Sequence, residues 1–111
     1  MQTFIELWSA KESWQKMTKE ERGSYLTQIG PALQDLLEKG VEIICWSENE
    51  KETTHRAGYA FFAVWKFPTV EMKKEFEVLV ETAGWYNYFH QENVSGESTT
   101  PETIISKMIE M

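Results

Sequence analysis

The chain has 111 residues and a mass of 13.0 kDa, the size of one compact domain. Eighteen acidic and eleven basic residues give a net charge of −7, which argues against a nucleic-acid or anionic-membrane binder. A single cysteine cannot form an internal disulfide, and 41% hydrophobic residues exclude a disordered chain. The sequence contains neither a signal peptide nor an apolar run of the ~20 residues that span a membrane, so we expect a cytoplasmic protein.

The first half of the chain predicts one strand and two helices. Residues 3–8 are rich in β-branched and aromatic side chains and indicate a strand. Ser9 to Glu12 has capping-box spacing and predicts a short helix, and Thr18 to Glu21 repeats that spacing before a longer one. We expect Pro31 to kink the longer helix and Gly40 to end it.

The second half predicts three strands and two further helices. Residues 41–46 and 57–67 indicate strands, separated by a polar loop. Thr69 caps a helix that Gly84 ends, and residues 85–94 indicate the last strand. Thr100 and Pro101 begin a final helix, whose apolar residues are expected to face inward, namely Ile105, Met108 and Ile109.

This order of elements predicts a single α+β domain over residues 1–111. The succession β-α-β-β-α-β is that of the ferredoxin-like unit, a four-stranded antiparallel sheet with helices on one face, here followed by a C-terminal helix.

Strand alternation divides the side chains into an aliphatic and an aromatic set. The aliphatic set, exemplified by Ile5 and Leu7, suits packing under the helices. The other set would then lie on the uncovered face of the sheet: Phe4, Trp8, Phe61, Trp65, Tyr86 and Tyr88. Such an apolar patch exceeds what soluble monomers tolerate, so we expect a homodimer formed through the sheet.

Two segments carry a family resemblance. Residues 59–68 read YAFFAVWKFP and residues 83–89 read AGWYNYF, and Glu6-Leu7-Trp8 and Gly30-Pro31-Ala32 fit the same pattern. The chain resembles a small bacterial family of unknown function, which in turn resembles the dimeric α+β barrel superfamily. That resemblance implies two ferredoxin-like sheets enclosing a barrel. Cofactor-independent monooxygenases, muconolactone-isomerase-like proteins and haem enzymes belong to the superfamily, and no catalytic residue is carried over from it.

Glu6 and His90 are the candidate catalytic residues. Alternation places His90 with Tyr86 and Tyr88, and Glu6 lies between two aromatic residues of the first strand. A carboxyl among aromatic rings has a raised pKa, and histidine exchanges protons near neutral pH. The two side chains are expected to handle protons together, or else to satisfy each other as buried polar groups.

The remaining candidates are ligand-binding residues. The expected lining of an apolar pocket is Trp8, Trp46, Tyr59, Phe61, Trp65, Tyr86 and Tyr88. Arg56 either holds an anionic ligand group or pairs with a nearby glutamate. We expect no cofactor and no metal, because the two histidines and one cysteine have no ligand spacing.

Three functions remain open at this point. The first is a small-molecule enzyme, a cofactor-free oxygenase or isomerase. The second is a non-catalytic binding or sensing module for a flat or long-chain lipophilic ligand, and the third is a structural dimer without a ligand. A cavity that both Glu6 and His90 reach favours the enzyme, one whose polar groups satisfy each other favours the binder, and a filled barrel favours the structural dimer.

Overall fold

The computed structural model describes all residues 1–111 and contains one four-stranded antiparallel sheet with the strand order β2-β3-β1-β4. Two long helices lie on one face of this sheet. The elements in chain order are β1 (Gln2–Ala10), α1 (Glu12–Gln15), α2 (Lys19–Glu38), β2 (Glu42–Glu48), β3 (Phe61–Phe67), α3 (Val70–Thr82), a 3₁₀ turn (Trp85–Asn87), β4 (Phe89–Glu97) and α4 (Pro101–Ile109). This architecture confirms the predicted ferredoxin-like α+β fold with a C-terminal helix.

The capping signals explain where the long helices begin. The Thr18 hydroxyl accepts from the Glu21 N–H at 3.1 Å, and the Glu21 carboxylate accepts from the Thr18 N–H at 2.8 Å, which completes a capping box at the start of α2. Thr69 caps α3 in the same manner. Helix α2 continues through Pro31, and Gly40 follows its end with φ at 102°, a conformation that favours glycine.

The aromatic face of the sheet packs under the helices, so the prediction that it is the uncovered face is wrong. Trp65 is only 1% exposed, and Phe4 and Trp8 are also buried. The core consists of Phe4, Trp8, Leu36, Val41, Ala63, Trp65, Phe67, Phe76 and Phe89. Large rings fill the space between the sheet and the helices, and each buries more apolar area than an aliphatic side chain does. Alternation separates two faces but does not say which one the helices cover.

The aliphatic set consequently lies on the uncovered face, which we call the open face. Antiparallel pairing places Ile5 opposite Val64 and Val94, and Leu7 opposite Phe62. Ile5, Leu7, Phe62 and Val64 are half-buried, and Val94 is 59% exposed. The open face therefore has an apolar centre.

The segment before β4 differs from its prediction. Residues 85–87 form a 3₁₀ turn instead of a strand, because Gly84 adopts φ at 76° and turns the chain at the end of α3. Strand β4 begins at Phe89, and its register pairs Trp8 with Gln91 and Ser9 with His90. Strand β3 is likewise shorter than expected and begins at Phe61.

Helix α4 projects from the domain, so the expectation of an inward apolar face is wrong. Ile105, Met108 and Ile109 are 54%, 64% and 78% exposed. An amphipathic pattern indicates that a helix has an apolar face, but it does not show that the same chain covers that face. No helix of the protein has the length and apolar character needed to cross a membrane.

Candidate functional site

A cavity of about 450 Å³ lies between α2, α3 and the sheet. Twelve of its fifteen lining residues are hydrophobic. Helix α2 contributes Tyr25, Gln28, Ile29, Ala32, Leu33 and Leu36; α3 and the following turn contribute Phe76, Leu79, Val80, Thr82, Ala83 and Trp85; the strands contribute Glu6, Trp46 and Trp65. Glu6 is the only carboxyl group in this lining, which contains no lysine, arginine or histidine.

Glu6 is held by two neutral hydrogen-bond donors. Its side chain lies on β1 and is 5% exposed. The Trp65 indole Nε1 donates to Oε1 at 2.7 Å, and the Gln91 amide Nε2 donates to Oε2 at 2.8 Å. The Trp85 indole Nε1 in turn donates to Gln91 Oε1 at 2.8 Å. No ion pair involves Glu6.

The direction of these hydrogen bonds is set by the two indoles, which can only donate. Because Trp85 donates to the oxygen of Gln91, the amide nitrogen of Gln91 must face Glu6. Both carboxyl oxygens of Glu6 therefore accept a hydrogen bond from the protein. A proton added to Glu6 finds no acceptor in either of these two partners.

Burial raises the pKa of Glu6 above its usual value. Removing the carboxylate from water destabilises the charged form, and this effect outweighs the hydrogen bonds from Gln91 and Trp65, which lower the pKa. No cationic side chain opposes the shift. Glu6 is thus a carboxyl group that can hold or release a proton in an apolar cavity.

Aromatic rings surround the carboxyl group on several sides. The ring centroids of Trp46 and Trp65 are 6.0 Å apart at a steep angle, and Trp65 lies 4.9 Å from Phe76. On the α2 side, the Tyr25 hydroxyl donates to the carbonyl of Ala83 at 2.7 Å. Burial also raises the pKa of Tyr25. These contacts fix the rings around the cavity.

Of the residues expected from the sequence, Glu6, Trp46 and Trp65 line the cavity. Trp8 is buried behind them, with its ring 5.1 Å from Trp46, and Phe61 packs 5.9 Å from Trp8 at the end of the sheet. The four aromatic side chains belong to one cluster, but of these only Trp46 and Trp65 reach the cavity, together with Glu6.

His90 does not join Glu6, so the expected pair is not formed. It is exposed and pairs with Ser9, so its side chain lies on the open face of the sheet, opposite to Glu6. The register of β1 and β4 causes this difference, because it places Asn93 opposite Glu6, so the odd-numbered residues of β4 lie on the side of Glu6. Tyr86 and Tyr88 precede β4 and do not alternate with His90 along it. Tyr88 instead packs against Tyr25 with ring centroids 4.9 Å apart.

Tyr59 and Arg56 belong to the loop between β2 and β3, outside the cavity lining. The Arg56 guanidinium donates to the carbonyls of Glu50 at 2.9 Å and Tyr59 at 3.1 Å. It contacts neither an acidic side chain nor the cavity. Its role in the structure is to hold this loop together.

The sequence interpretation missed Tyr25, Trp85 and Gln91. Tyr25 lies one helical turn from Ile29 on the apolar face of α2, so its position was detectable from helical periodicity. Gln91 and Trp85 depend on the turn before β4, which a strand prediction over 85–94 concealed. No local pattern indicates that the two helices leave a space between them.

A protein-family model described as being of unknown function matches residues 1–111. The chain belongs to this family, DUF6616. No curated protein matches the DUF6616 chain in sequence.

Solved structures share the fold of this DUF6616 protein. A candidate chlorite dismutase, TA0507, has a TM-score of 0.69 at 13% identity, over 89% of this chain and 44% of that one. A mutant chlorite dismutase from Candidatus Nitrospira defluvii has a TM-score of 0.63 at 11% identity, over 97% of this chain and 47% of that one. At3g17210 from Arabidopsis thaliana has a TM-score of 0.61 at 18% identity, over 90% of this chain and 97% of that one. The DUF6616 chain thus spans less than half of the two dismutase chains, and these identities show the fold alone.

The cavity does not fit a haem, the group found in some enzymes of the superfamily that the sequence resembles. Haem iron is held by histidine, cysteine, methionine or tyrosine side chains. Among these, the lining contains only Tyr25, and its hydroxyl donates a hydrogen bond to the Ala83 carbonyl. His90 lies outside the lining and Cys45 is on β2, also outside it. No group of three or more potential metal-ligating side chains is present.

We expect Trp65→Phe to raise the pKa of Glu6 further, because it removes one of two donors to the carboxylate. It should lower the free energy of unfolding by about 1–3 kcal/mol at neutral pH. The pKa of Glu6 is higher in the folded protein than in the unfolded chain, so the free energy of unfolding falls as the pH rises from the unfolded pKa to the folded pKa. Because Trp65→Phe raises the folded pKa, this fall should continue to a higher pH in the variant. Carbon-13 NMR titration and urea denaturation measure the two effects.

Trp46→Phe is the matched control, since the Trp46 indole lines the same cavity without donating to Glu6. It should change the pKa of Glu6 much less than Trp65→Phe does. Equal pKa changes in the two variants would contradict the assigned role of the Trp65 N–H.

Proposed function

We propose that this DUF6616 protein binds a small, largely apolar molecule in the cavity, with one polar group of the molecule at Glu6. The observation that carries this proposal is a buried carboxyl group, 5% exposed, in a cavity of about 450 Å³ with predominantly hydrophobic walls. Cavities of ~300–1,000 Å³ with few polar groups are typical small-molecule sites.

The physical basis is the burial of apolar surface against side chains that the fold leaves half-buried. Ile29 and Leu33 from α2 and Leu79 and Val80 from α3 are each partly exposed at the cavity. A ligand that covers them removes this surface from water, which contributes about 25 cal/mol per Å². The lone polar group then determines how the ligand is oriented.

A binding or sensing role is the first candidate. Glu6 reaches the cavity but His90 does not, and each Glu6 oxygen already accepts one hydrogen bond. These observations favour a site that recognises a ligand over one built around an acid–base pair.

Proton transfer by Glu6 alone is the second candidate. The raised pKa of Glu6 and the apolar surroundings favour it, because a carboxylate in such a place is a stronger base than one in water. One base can remove a proton from a substrate carbon and return it to another, which is an isomerisation. The same removal is the first step of cofactor-free oxygenation.

Self-association through the open face is the third element of the proposal. The apolar centre formed by Ile5, Leu7, Phe62 and Val64 is bordered by polar side chains such as Lys66. An apolar centre with a polar rim is typical of protein interfaces. A second copy of the chain supplies a face of the same shape and chemistry, and two ferredoxin-like sheets packed in this way form a barrel.

We expect saturable binding of the neutral fluorophore N-phenyl-1-naphthylamine at one molecule per chain. Ala32→Phe should weaken it about tenfold or more, equivalent to 1.4 kcal/mol, because the added ring occupies the cavity from α2. Fluorescence titration measures the dissociation constant. Ala57→Phe, an exposed loop position, is the control and should leave binding unchanged. Identical affinities of the two variants would refute binding in this cavity.

We expect the protein to accelerate exchange of the acidic C–H protons of 2-tetralone for deuterium if Glu6 acts as a base. Proton NMR in D₂O follows the exchange, and Glu6→Gln should abolish the acceleration because an amide cannot accept the proton. Glu102→Gln, which makes the same charge change on α4, should not. Bound 2-tetralone that exchanges at the rate in buffer would leave binding as the function and eliminate proton transfer.

We expect sedimentation at micromolar concentration to give about twice the 13.0 kDa chain mass. Val64→Asp should yield monomers, because it places an unpaired charge at the centre of the open face. Val78→Asp on α3, where Val78 is 63% exposed, should not. A stable monomer of the unmodified chain would disprove self-association.

A further inference from the structure

We propose that the ligand of the cavity is an organic cation: an ammonium group on an apolar, flat or chain-like skeleton. The inference rests on the proposed ligand site and assigns its chemical class. It is carried by the charge and the aromatic content of the lining.

The first observation is a carboxyl group without a counter-ion. Glu6 is 95% buried, and both of its hydrogen-bonding partners, Trp65 and Gln91, are neutral. Buried carboxylates in proteins are normally paired with a cation or hydrogen-bonded in full. Each Glu6 oxygen accepts one hydrogen bond here, and a carboxylate oxygen can accept two. An ammonium group donates to the remaining positions and supplies the missing positive charge.

The second observation is the set of aromatic rings around that carboxyl group. Trp46, Trp65 and Trp85 line the cavity together with the rings of Tyr25 and Phe76. The face of an indole attracts a cation more strongly than that of any other side-chain ring, and the attraction grows when water is excluded. Aromatic rings next to one carboxylate are the combination that recognises alkylated ammonium groups.

The third observation concerns what the site would repel. No lysine, arginine or histidine lines the cavity, so nothing there compensates the charge of a carboxylate or phosphate ligand. The whole chain carries a net charge of −7, which attracts cations and repels anions at a distance. A fatty acid or an anionic aromatic compound would place a second negative charge beside Glu6.

Binding of the cation is expected to depend on pH in a defined direction. No cationic side chain lines the cavity around Glu6: Trp65 and Trp46 come from β3 and β2, Gln91 from β4 and Tyr25 from α2, and α3 contributes only apolar side chains and Thr82. The 3₁₀ turn adds Tyr86, whose pKa is raised by burial and by the charge of Glu6, so this hydroxyl is also neutral at pH 7. Since burial favours protonated Glu6, the bound cation must displace that proton. Affinity should therefore rise with pH until Glu6 is ionised in the free protein.

The test is a charge series on one skeleton, measured by displacement of N-phenyl-1-naphthylamine. The probes are 2-phenylethylammonium, neutral 2-phenylethanol and anionic 3-phenylpropionate, at pH 8 and pH 5. At pH 8 we expect the ammonium compound to bind about tenfold more tightly than the alcohol, with the anion weakest. At pH 5 the advantage of the ammonium compound should shrink, while the affinity of the alcohol should not change.

Glu6→Gln should reduce the ammonium-to-alcohol ratio to about one and leave the alcohol bound, whereas Glu102→Gln should leave the ratio as it is. Trp46→Leu removes one indole face from a half-exposed position and should lower the ratio several-fold without touching Glu6.

The unmodified protein alone decides the inference, so it does not depend on whether a variant folds. Alcohol or anion binding as tight as that of the ammonium compound at pH 8 would overturn the cation assignment and leave the apolar ligand site standing. Failure of every probe, the fluorophore included, would overturn both.

Discussion

The burial of the Glu6 carboxyl group beneath two helices is the constraint on which the site depends. A carboxylate removed from water is costly unless it is hydrogen-bonded, and here an indole and an amide provide the donors. The second indole, Trp85, orients that amide and so extends the arrangement from β1 to the turn before β4. Three elements distant in sequence are thereby held around one acidic group.

The same arrangement accounts for the choice of residues on the covered face. Tryptophan combines a large apolar surface with one N–H group, so Trp65 both fills the core and serves the carboxyl group. A phenylalanine there would fill the space but leave an oxygen unsatisfied. The open face carries no such requirement, and its aliphatic side chains are suited to contact with another flat apolar surface.

Helices α2 and α3 complete the site because they leave a gap between them above the sheet. Leu36 and Phe76 are buried in the core and also border the cavity, whereas Leu33 and Leu79 pack against the core and stay half-buried at the cavity. The ligand that we propose would occupy this gap between α2 and α3. Its charge follows from Glu6, and its apolar skeleton follows from the helical side chains.

The sequence by itself determined the order of the elements, the caps at Thr18, Thr69 and Thr100, and the presence of an acidic residue among aromatic ones. These features depend on interactions between near neighbours, such as a hydroxyl and an N–H three residues away. Such interactions can be recognised from the order of residues in the sequence. Strand composition also marked Glu6, Trp46 and Trp65 as candidates, and all three line the cavity.

The tertiary structure alone decided which face of the sheet is covered, that α4 projects, and that His90 is separated from Glu6. Alternation is symmetric between the two faces, so only the helices can distinguish them. The position of His90 follows from the register of β1 and β4, which pairs His90 with Ser9 and Glu6 with Asn93, and local alternation does not reveal that register. The cavity exists because α2 and α3 are held apart, and the spacing of elements that are distant in sequence is set by how all of their side chains pack together.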